Sequence, residues 1–286
     1  MTAIYRTAAG AAAVRERYDA LLNRWPVPSG HRTLATRLGD TFAVVSGPVD
    51  APPVVALQGS GGTAAHWLPD IATLAGRLRV HAVDAPGEPG RTAEARPPLA
   101  SPAYAEWLDD VLDGLELPRA AFLGTSLGGW WALDHALRRP ERVTALALVN
   151  PSGIGRRRTA PLLKFAVYGL LGDWGRRRSL AMVAQGSPAD PARRAVGEFT
   201  LATFEHFKPR LEPIPVFPVE RLRALVMPVQ AQFGARDVLL DQRDAAAKLA
   251  EALPAADVRL AEDAGHFLPG WAAAAAEFLT IRARAS

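Results

Sequence analysis

Apolar positions along the chain change their period several times, and each change marks an element. In residues 10–24 (GAAAVRERYDALLNR) Val14, Tyr18, Leu21 and Leu22 recur at helical spacing, and Trp25-Pro26 ends the run. His31–Arg37 and Thr41–Ser46 then flank Gly39-Asp40, the pattern of a hairpin. The short apolar run Val54–Leu57 predicts a strand, and Arg79–Val83, Ala120–Leu123 and Val143–Val149 predict the next ones. Leu68–Leu78, Tyr104–Leu115 and Leu127–Arg138 predict the helices between them. Residues 227–233, 241–252, 257–261 and 268–283 continue as strand, helix, strand, helix. Strands alternating with helices of this length predict an α/β fold, a mostly parallel sheet with helices on both faces. Sites on such sheets lie in crevices beyond the carboxyl ends of the strands.

Between residues 151 and 220 this rhythm breaks. The segment reads as helices near 161–171, 175–185 and 191–207, followed by Pro209, Pro213, Pro215 and Pro218. An insertion of this length after a strand, helical and then proline-rich on its return, predicts a cap over the site. The expected organisation is a core of residues 1–150 and 221–286, with 1–28 as an N-terminal helical extension and 151–220 as the cap.

Composition narrows the possibilities. The chain has 286 residues, 49% hydrophobic and 22% charged, the balance of an ordinary globule with a full core. It has no cysteine, which excludes a disulfide scaffold, a thiol nucleophile and a zinc–thiolate site, and which fits a reducing cytoplasm. Thr7–Val14, between Arg6 and Arg15-Glu16-Arg17, is too short and weakly apolar for a signal-peptide core. No stretch approaches the roughly 18 uncharged apolar residues of a membrane span. The expectation is a soluble, cytoplasmic protein with no stable membrane insertion. The net charge of +4 comes almost wholly from arginine, and residues 151–220 hold eleven basic against six acidic side chains. So local an excess does not predict nucleic-acid binding. Arg156-Arg157-Arg158 and Arg176-Arg177-Arg178 either steer anionic compounds, touch an acidic membrane surface, or form a solvated outer face.

The strongest chemical signal is Gly124-Thr125-Ser126-Leu127-Gly128, followed by Gly129, between a predicted strand and a predicted helix. A serine on so sharp a turn has a strained backbone and an exposed hydroxyl, and its neighbours two positions away must be very small. A loop that merely packs a strand on a helix is the plainer reading of the bare motif. The hydroxyl needs a base of near-neutral pKa. His266 follows Gly265 and the last predicted strand, a position from which it reaches Ser126. The other histidines fall too early (His31, His66, His81), lie in the helix after the serine (His135), or belong to the insertion (His206). The base needs a carboxylate to fix its tautomer, and Asp237, just after the strand 227–233, completes the order serine, acid, histidine. Asp241 and Asp263 are the nearby alternatives, and Asn150-Pro151 offers no carboxylate at the rival position. Gln58-Gly59-Ser60-Gly61-Gly62-Thr63 follows the strand Val54–Leu57, and the Ser60 and Leu127 amides are the expected oxyanion donors. A phosphate-cradling reading of these glycines lacks the GK[ST] that should follow.

At these residues the chain resembles the α/β-hydrolases over nearly its whole length. More narrowly, it is similar to bacterial carboxylesterases of the naproxen-esterase type. Supporting landmarks are Trp25-Pro26, Ala35-Thr36-Arg37-Leu38-Gly39, Ser46-Gly47-Pro48, Asp50-Ala51-Pro52-Pro53, Trp67, Val83-Asp84 and Pro140-Glu141-Arg142-Val143. The resemblance implies an eight-stranded sheet, a helical cap after the sixth strand and hydrolysis of small-molecule esters without a cofactor or metal. One departure stands out: such enzymes usually have histidine before the glycine of the oxyanion loop, where this chain has Gln58.

The expected reaction is acyl transfer through Ser126, with His266 as base and Asp237 as its partner. Gly61, Trp67, Phe165, Tyr168, Trp174 and His206 are the expected substrate contacts, and Phe165, Tyr168, Leu170, Leu171, Trp174, Phe199 and Phe204 form an apolar roof or simply pack the insertion on the core. The same three residues would also serve a C–C bond hydrolase, a lactonase, or a cofactor-free oxygenase or cyclase. A non-catalytic binder is the reading from another class.

Overall fold

The computed structural model describes residues 3–156, 168, 171–184 and 190–283. Eight strands form one sheet: β1 (Ser29–Leu34), β2 (Thr41–Ser46), β3 (Pro53–Leu57), β4 (Arg79–Val83), β5 (Ala120–Thr125), β6 (Val143–Val149), β7 (Val229–Gly234) and β8 (Asp257–Ala261). Their order is β1-β2-β4-β3-β5-β6-β7-β8. β2 runs antiparallel to both its neighbours, and β3 to β8 are mutually parallel.

The apolar runs divide by alternation between two cores. Val54, Ala56, Ala121 and Leu123 face one side, while Val55, Leu57, Ala120 and Phe122 face the other. The first face is covered by α1 (Ala8–Leu22), α2 (Ile71–Ala75) and α9 (Trp271–Ala283). The second is covered by α3 (Ala103–Gly114), α4 (Leu127–Arg138) and α8 (Gln242–Ala252). With both faces buried, β3 and most of β5 read as short continuous apolar runs, whereas β4 carries His81, β6 Thr144, and β7 Gln230 and Gln232.

Two predicted helices are shorter than the pattern suggests. The expected helix 68–78 is cut back to α2, which follows a 3-10 turn (Ala64–Trp67), starts after Asp70 and ends at Gly76. The last helix begins at Trp271, after Pro269-Gly270 with Gly270 at φ 70°.

Between β6 and β7 the insertion carries α5 (Gly172–Ala184), α6 (Pro191–His206) and the short α7 (Val219–Leu222). The first two match the expected helices 175–185 and 191–207. The expected helix 161–171 lies largely outside the described residues. Asp190 caps α6 by accepting the Ala192 N–H at 2.9 Å. The proline-rich return is held to α4, since Trp130 Nε1 donates to the Pro215 carbonyl at 2.8 Å and Trp130 stacks on Phe217.

The N-terminal segment and the insertion are joined. Tyr5 bridges to Phe207, Arg6 N donates to His206 O and Lys208 N donates to Ile4 O, both at 2.8 Å. Helix α1 therefore packs against α6.

Candidate active site

The site grows from the turn between β5 and α4. Ser126 sits at φ 50°, ψ −116°, a conformation of order 1–3 kcal/mol above a relaxed one. The surroundings hold it there: its N–H donates to Val149 O at 3.1 Å, and its carbonyl accepts from Ser152 N at 2.9 Å. A Cβ on Gly128 would lie 2.2 Å from the Leu57 carbonyl oxygen, and one on Gly124 would lie 2.6 Å from that of Gly128. Any larger residue at either position would push the turn open. Ser126 is left half-buried, with its side chain against Gly59, where a Cβ would lie 2.9 Å from that of the serine.

The loops after β7 and β8 meet at this turn. Asp237 is fully buried, and its Oδ2 accepts from His266 Nδ1 at 2.8 Å and from Gln242 Nε2 at 3.0 Å. Its Oδ1 accepts the Leu239 N–H at 2.7 Å. Burial pushes the Asp237 carboxyl up, but the His266 ring, the Gln242 amide and the Leu239 N–H outweigh it and hold the group below the usual carboxylate range. The carboxylate fixes the proton on Nδ1 and leaves Nε2 as the acceptor. Asp241, one alternative acid, caps α8, and Asp263 pairs with Arg236 at the surface.

Asn150, not singled out from the sequence, ties these loops together. Its Nδ2 donates to the Gly265 and His266 carbonyls at 3.1 and 2.8 Å, and its Oδ1 accepts from Gly234 N at 2.8 Å. Val149 and Asn150 are consecutive, and they hold the backbones of Ser126 and His266 respectively, which sets the two loops side by side. Among the described residues no hydrogen bond joins the Ser126 hydroxyl to the imidazole. The Asp237–His266 pair and the serine turn thus stand as two neighbouring pieces. The only outward sign of Asn150 in the sequence is an asparagine directly after a predicted strand; in the structure it sits at φ 45°.

Gln58 has a definite task in the glycine loop after β3. Its Oε1 accepts from the Thr125 hydroxyl at 2.9 Å, which pins the loop to the residue before Ser126. Beneath the loop the buried Glu88 accepts the Gly61 N–H through Oε2 at 2.7 Å, with Ser60 Oγ at 3.5 Å from the same oxygen. Neither the Ser60 nor the Leu127 N–H donates to another described residue. Phe204 of α6 covers Gly61 so closely that a Cβ there would lie 2.5 Å from the ring.

The expected substrate contacts scatter. Gly61 lies in the loop. Trp67 is instead a core residue, fully buried with its ring 5.7 Å from that of Trp271. His206 packs on Gly10 of α1, where a Cβ would lie 2.8 Å from the imidazole, so it belongs to the α1–α6 interface and not to the pocket. Tyr168 and Trp174 meet edge to face at 6.0 Å, with Trp174 61% exposed. Phe165 lies outside the described residues. A cleft of about 490 Å³ opens between α1 and α6, lined by Arg17, Leu21, Arg24 and Phe199 among others, and it includes none of Ser126, Asp237 and His266. Among the described residues there is no cluster of histidine and carboxylate suited to a metal, and no helix is long and apolar enough to cross a membrane.

The sheet order, with a strained serine turn after the fifth strand, is that of the α/β hydrolases as a class. The chain belongs to that family: the sequence profile of the Alpha/beta hydrolase family matches residues 54–279, and the protein is a hydrolase enzyme. It is similar to carboxylesterase YbfK of Bacillus subtilis (strain 168), 29% identical over 258 residues that span 88% of this chain and 87% of that one. The uncharacterized carboxylesterase nap of the same organism is also 29% identical over 258 residues, 88% of this chain and 86% of its own. The crystal structure of naproxen esterase (carboxylesterase NP) from Bacillus subtilis superposes with a TM-score of 0.81 over 98% of both chains, at 26% identity. The resemblance to carboxylesterases of this type, read from the sequence, is borne out.

Proposed function

We propose that the protein is a carboxylesterase that cleaves small, largely apolar esters through an acyl-enzyme at Ser126. The observation that carries this reading is the 2.8 Å contact between Asp237 and His266, held through Val149 and Asn150 beside the serine turn. The carboxylesterase names of the relatives support the choice of ester over other acyl compounds.

In this mechanism Ser126 Oγ attacks the ester carbonyl carbon and passes its proton to His266 Nε2. The electron pair of the C=O moves onto oxygen, which the free N–H groups of Ser60 and Leu127 receive. Each such donor is worth roughly 10²–10³ in rate. The C=O re-forms as the ester C–O bond breaks, and His266 returns the proton to the departing alkoxide. Water then attacks the acyl carbon and gives a proton to His266, the adduct collapses with cleavage of the acyl C–Oγ bond, and His266 returns the proton to Ser126 Oγ as the acid leaves. Asp237 stays ionised and stabilises the imidazolium. The Gly61 backbone and Phe204 form one wall, and the insertion, with Tyr168 and Trp174, forms the outer rim of the cap.

A series of p-nitrophenyl esters of graded acyl length, assayed with the wild type and Ser126→Ala, tests this reading. Wild type should turn over the shorter esters, and Ser126→Ala should lose about 10⁴-fold or more in kcat while staying folded. Wild-type rates in Ser126→Ala would refute the acyl-enzyme.

A further inference from the structure

Two buried carboxylates stand in the loop after β4, and their surroundings differ. Asp84 uses both oxygens: Oδ1 accepts from Tyr18 Oη at 3.0 Å and Ala64 N at 2.8 Å, and Oδ2 from Arg91 N at 3.0 Å. It binds α1, the 3-10 turn and its own loop together, which is a structural task. Glu88 is 1% exposed and makes its short contact with the Gly61 N–H through Oε2, while Oε1 has no partner among the described residues. It forms no ion pair with a described residue. The nearby guanidinium groups of Arg96 and Arg210 are engaged elsewhere, Arg96 with the Gly87 and Lys208 carbonyls and Arg210 with Pro97 O, Glu212 and Tyr104. Burial pushes the Glu88 carboxyl up to about 7, against the pull of the Gly61 N–H, Arg96 and Arg210.

A half-satisfied buried carboxyl is expensive for a fold, and a neutral acceptor would hold Gly61 without that penalty. Such groups persist where a site uses them. What this one touches is the peptide between Ser60 and Gly61, in a loop whose preceding residue, Gly59, lies against the Ser126 side chain.

We propose that Glu88 is a positioning residue for the reaction at Ser126, anchoring the Ser60–Gly61 peptide so that the Ser60 N–H stays aimed at the forming oxyanion. This rests on the ester-hydrolysis reading above. With Gly61 at φ 76° and glycine at 59, 61 and 62, the backbone here is intrinsically free to rotate, and apart from the Gly62 N–H to Gly59 O bond it depends on contacts from outside the turn. The Glu88 carboxylate from below and Gln58 from the side supply that restraint. A loop displaced by about 1 Å would lose the donor geometry and roughly two orders of magnitude in rate.

The test compares Glu88→Ala, Glu88→Met and Glu88→Gln on a short p-nitrophenyl ester. Inhibition by a trifluoromethyl ketone, whose adduct with Ser126 carries an oxyanion, is measured in parallel. Alanine and methionine should lower kcat about 10- to 100-fold with KM within about threefold, and Ki for the ketone should rise by the same factor. Glutamine keeps an acceptor at the same place and should recover kcat to within about fivefold. Methionine fills the volume of the native side chain and decides the matter should the alanine variant not fold. Wild-type kcat and Ki in Glu88→Met would overturn the proposal, as would equal losses in the methionine and glutamine variants, or a loss confined to KM. If Ser126→Ala hydrolyses the ester at the wild-type rate, the underlying reading falls and this proposal with it. If that variant is inactive and Glu88→Met is not, the assignment of Glu88 alone fails.

Discussion

At the residue scale the site depends on side chains with no chemistry of their own. Asn150 makes three hydrogen bonds from a fully buried position and joins the ends of β6 and β7 to the loop that carries His266. Replacing it with alanine leaves the Gly234 N–H and two carbonyls without a partner, a destabilisation of about 1–3 kcal/mol for the buried groups involved. Asn150→Ala should therefore unfold at lower urea and lose kcat beyond what the remaining folded fraction explains. Both follow from one denaturation curve and one rate measurement. The strand-end positions of Ser126, Asp237 and His266 were readable in the sequence from their order, and the serine turn from Gly124 and Gly128. Asn150 and Glu88 were not, since each acts through backbone groups that a linear reading cannot bring together. Gln58 shows the converse: a departure from the usual histidine is met by a hydrogen bond to Thr125, which keeps the loop tied to the serine turn.

At the scale of elements, strands were easier to read than their packing. Val54–Leu57 stands out because both sheet faces are covered and nothing polar interrupts it, and Val143–Val149 is broken only by Thr144. The helix expected over 68–78 is cut back at both ends, beginning after Pro69-Asp70 and stopping at Gly76, so apolar periodicity overran its breakers. The two helices at 172–184 and 191–206 were legible as an insertion, but their relation to the N-terminus was not. That relation rests on Gly10 admitting the His206 ring and on backbone pairing of residues 4–6 with 206–208, both contacts between distant stretches of chain. His206 and Trp67 were assigned to substrate for the same reason. Position near the site in sequence did not reveal that one side chain packs on α1 and the other on Trp271.

Across the whole molecule the arginine excess is largely paired where it is described. Arg193 of the insertion bonds Asp70 at 2.6 Å, and Arg177 pairs with Glu198. Such contacts make a solvated, ion-paired outer face a sufficient account of these two cations. The buried titratable groups pull stability in opposite directions with pH. Burial raises Glu88 to about 7 and Asp84 to about 6, so the stability they favour is present at low pH and lost as pH rises through those values. Burial lowers His66 and His81 to about 4, so their contribution is full above the ordinary histidine value and lost as pH falls from about 6.5 towards 4. His81 offers the cleanest test, since neither ring nitrogen has a described partner. His81→Leu should gain stability over wild type at pH 5 relative to its effect at pH 8, by about 2 kcal/mol. Equal differences at the two pH values in paired urea titrations would contradict the buried neutral imidazole.

The central claim is that Ser126 is activated by His266, with Asp237 behind it. The most direct measurement is the rate of phosphonylation of Ser126 by a fluorophosphonate, followed by intact-protein and peptide mass spectrometry in wild type, His266→Ala and Asp237→Asn. A single adduct on Ser126 is expected in the wild type, formed about 10³-fold or more slowly in both variants. Labelling of a different residue, or equal rates in all three proteins, would contradict it.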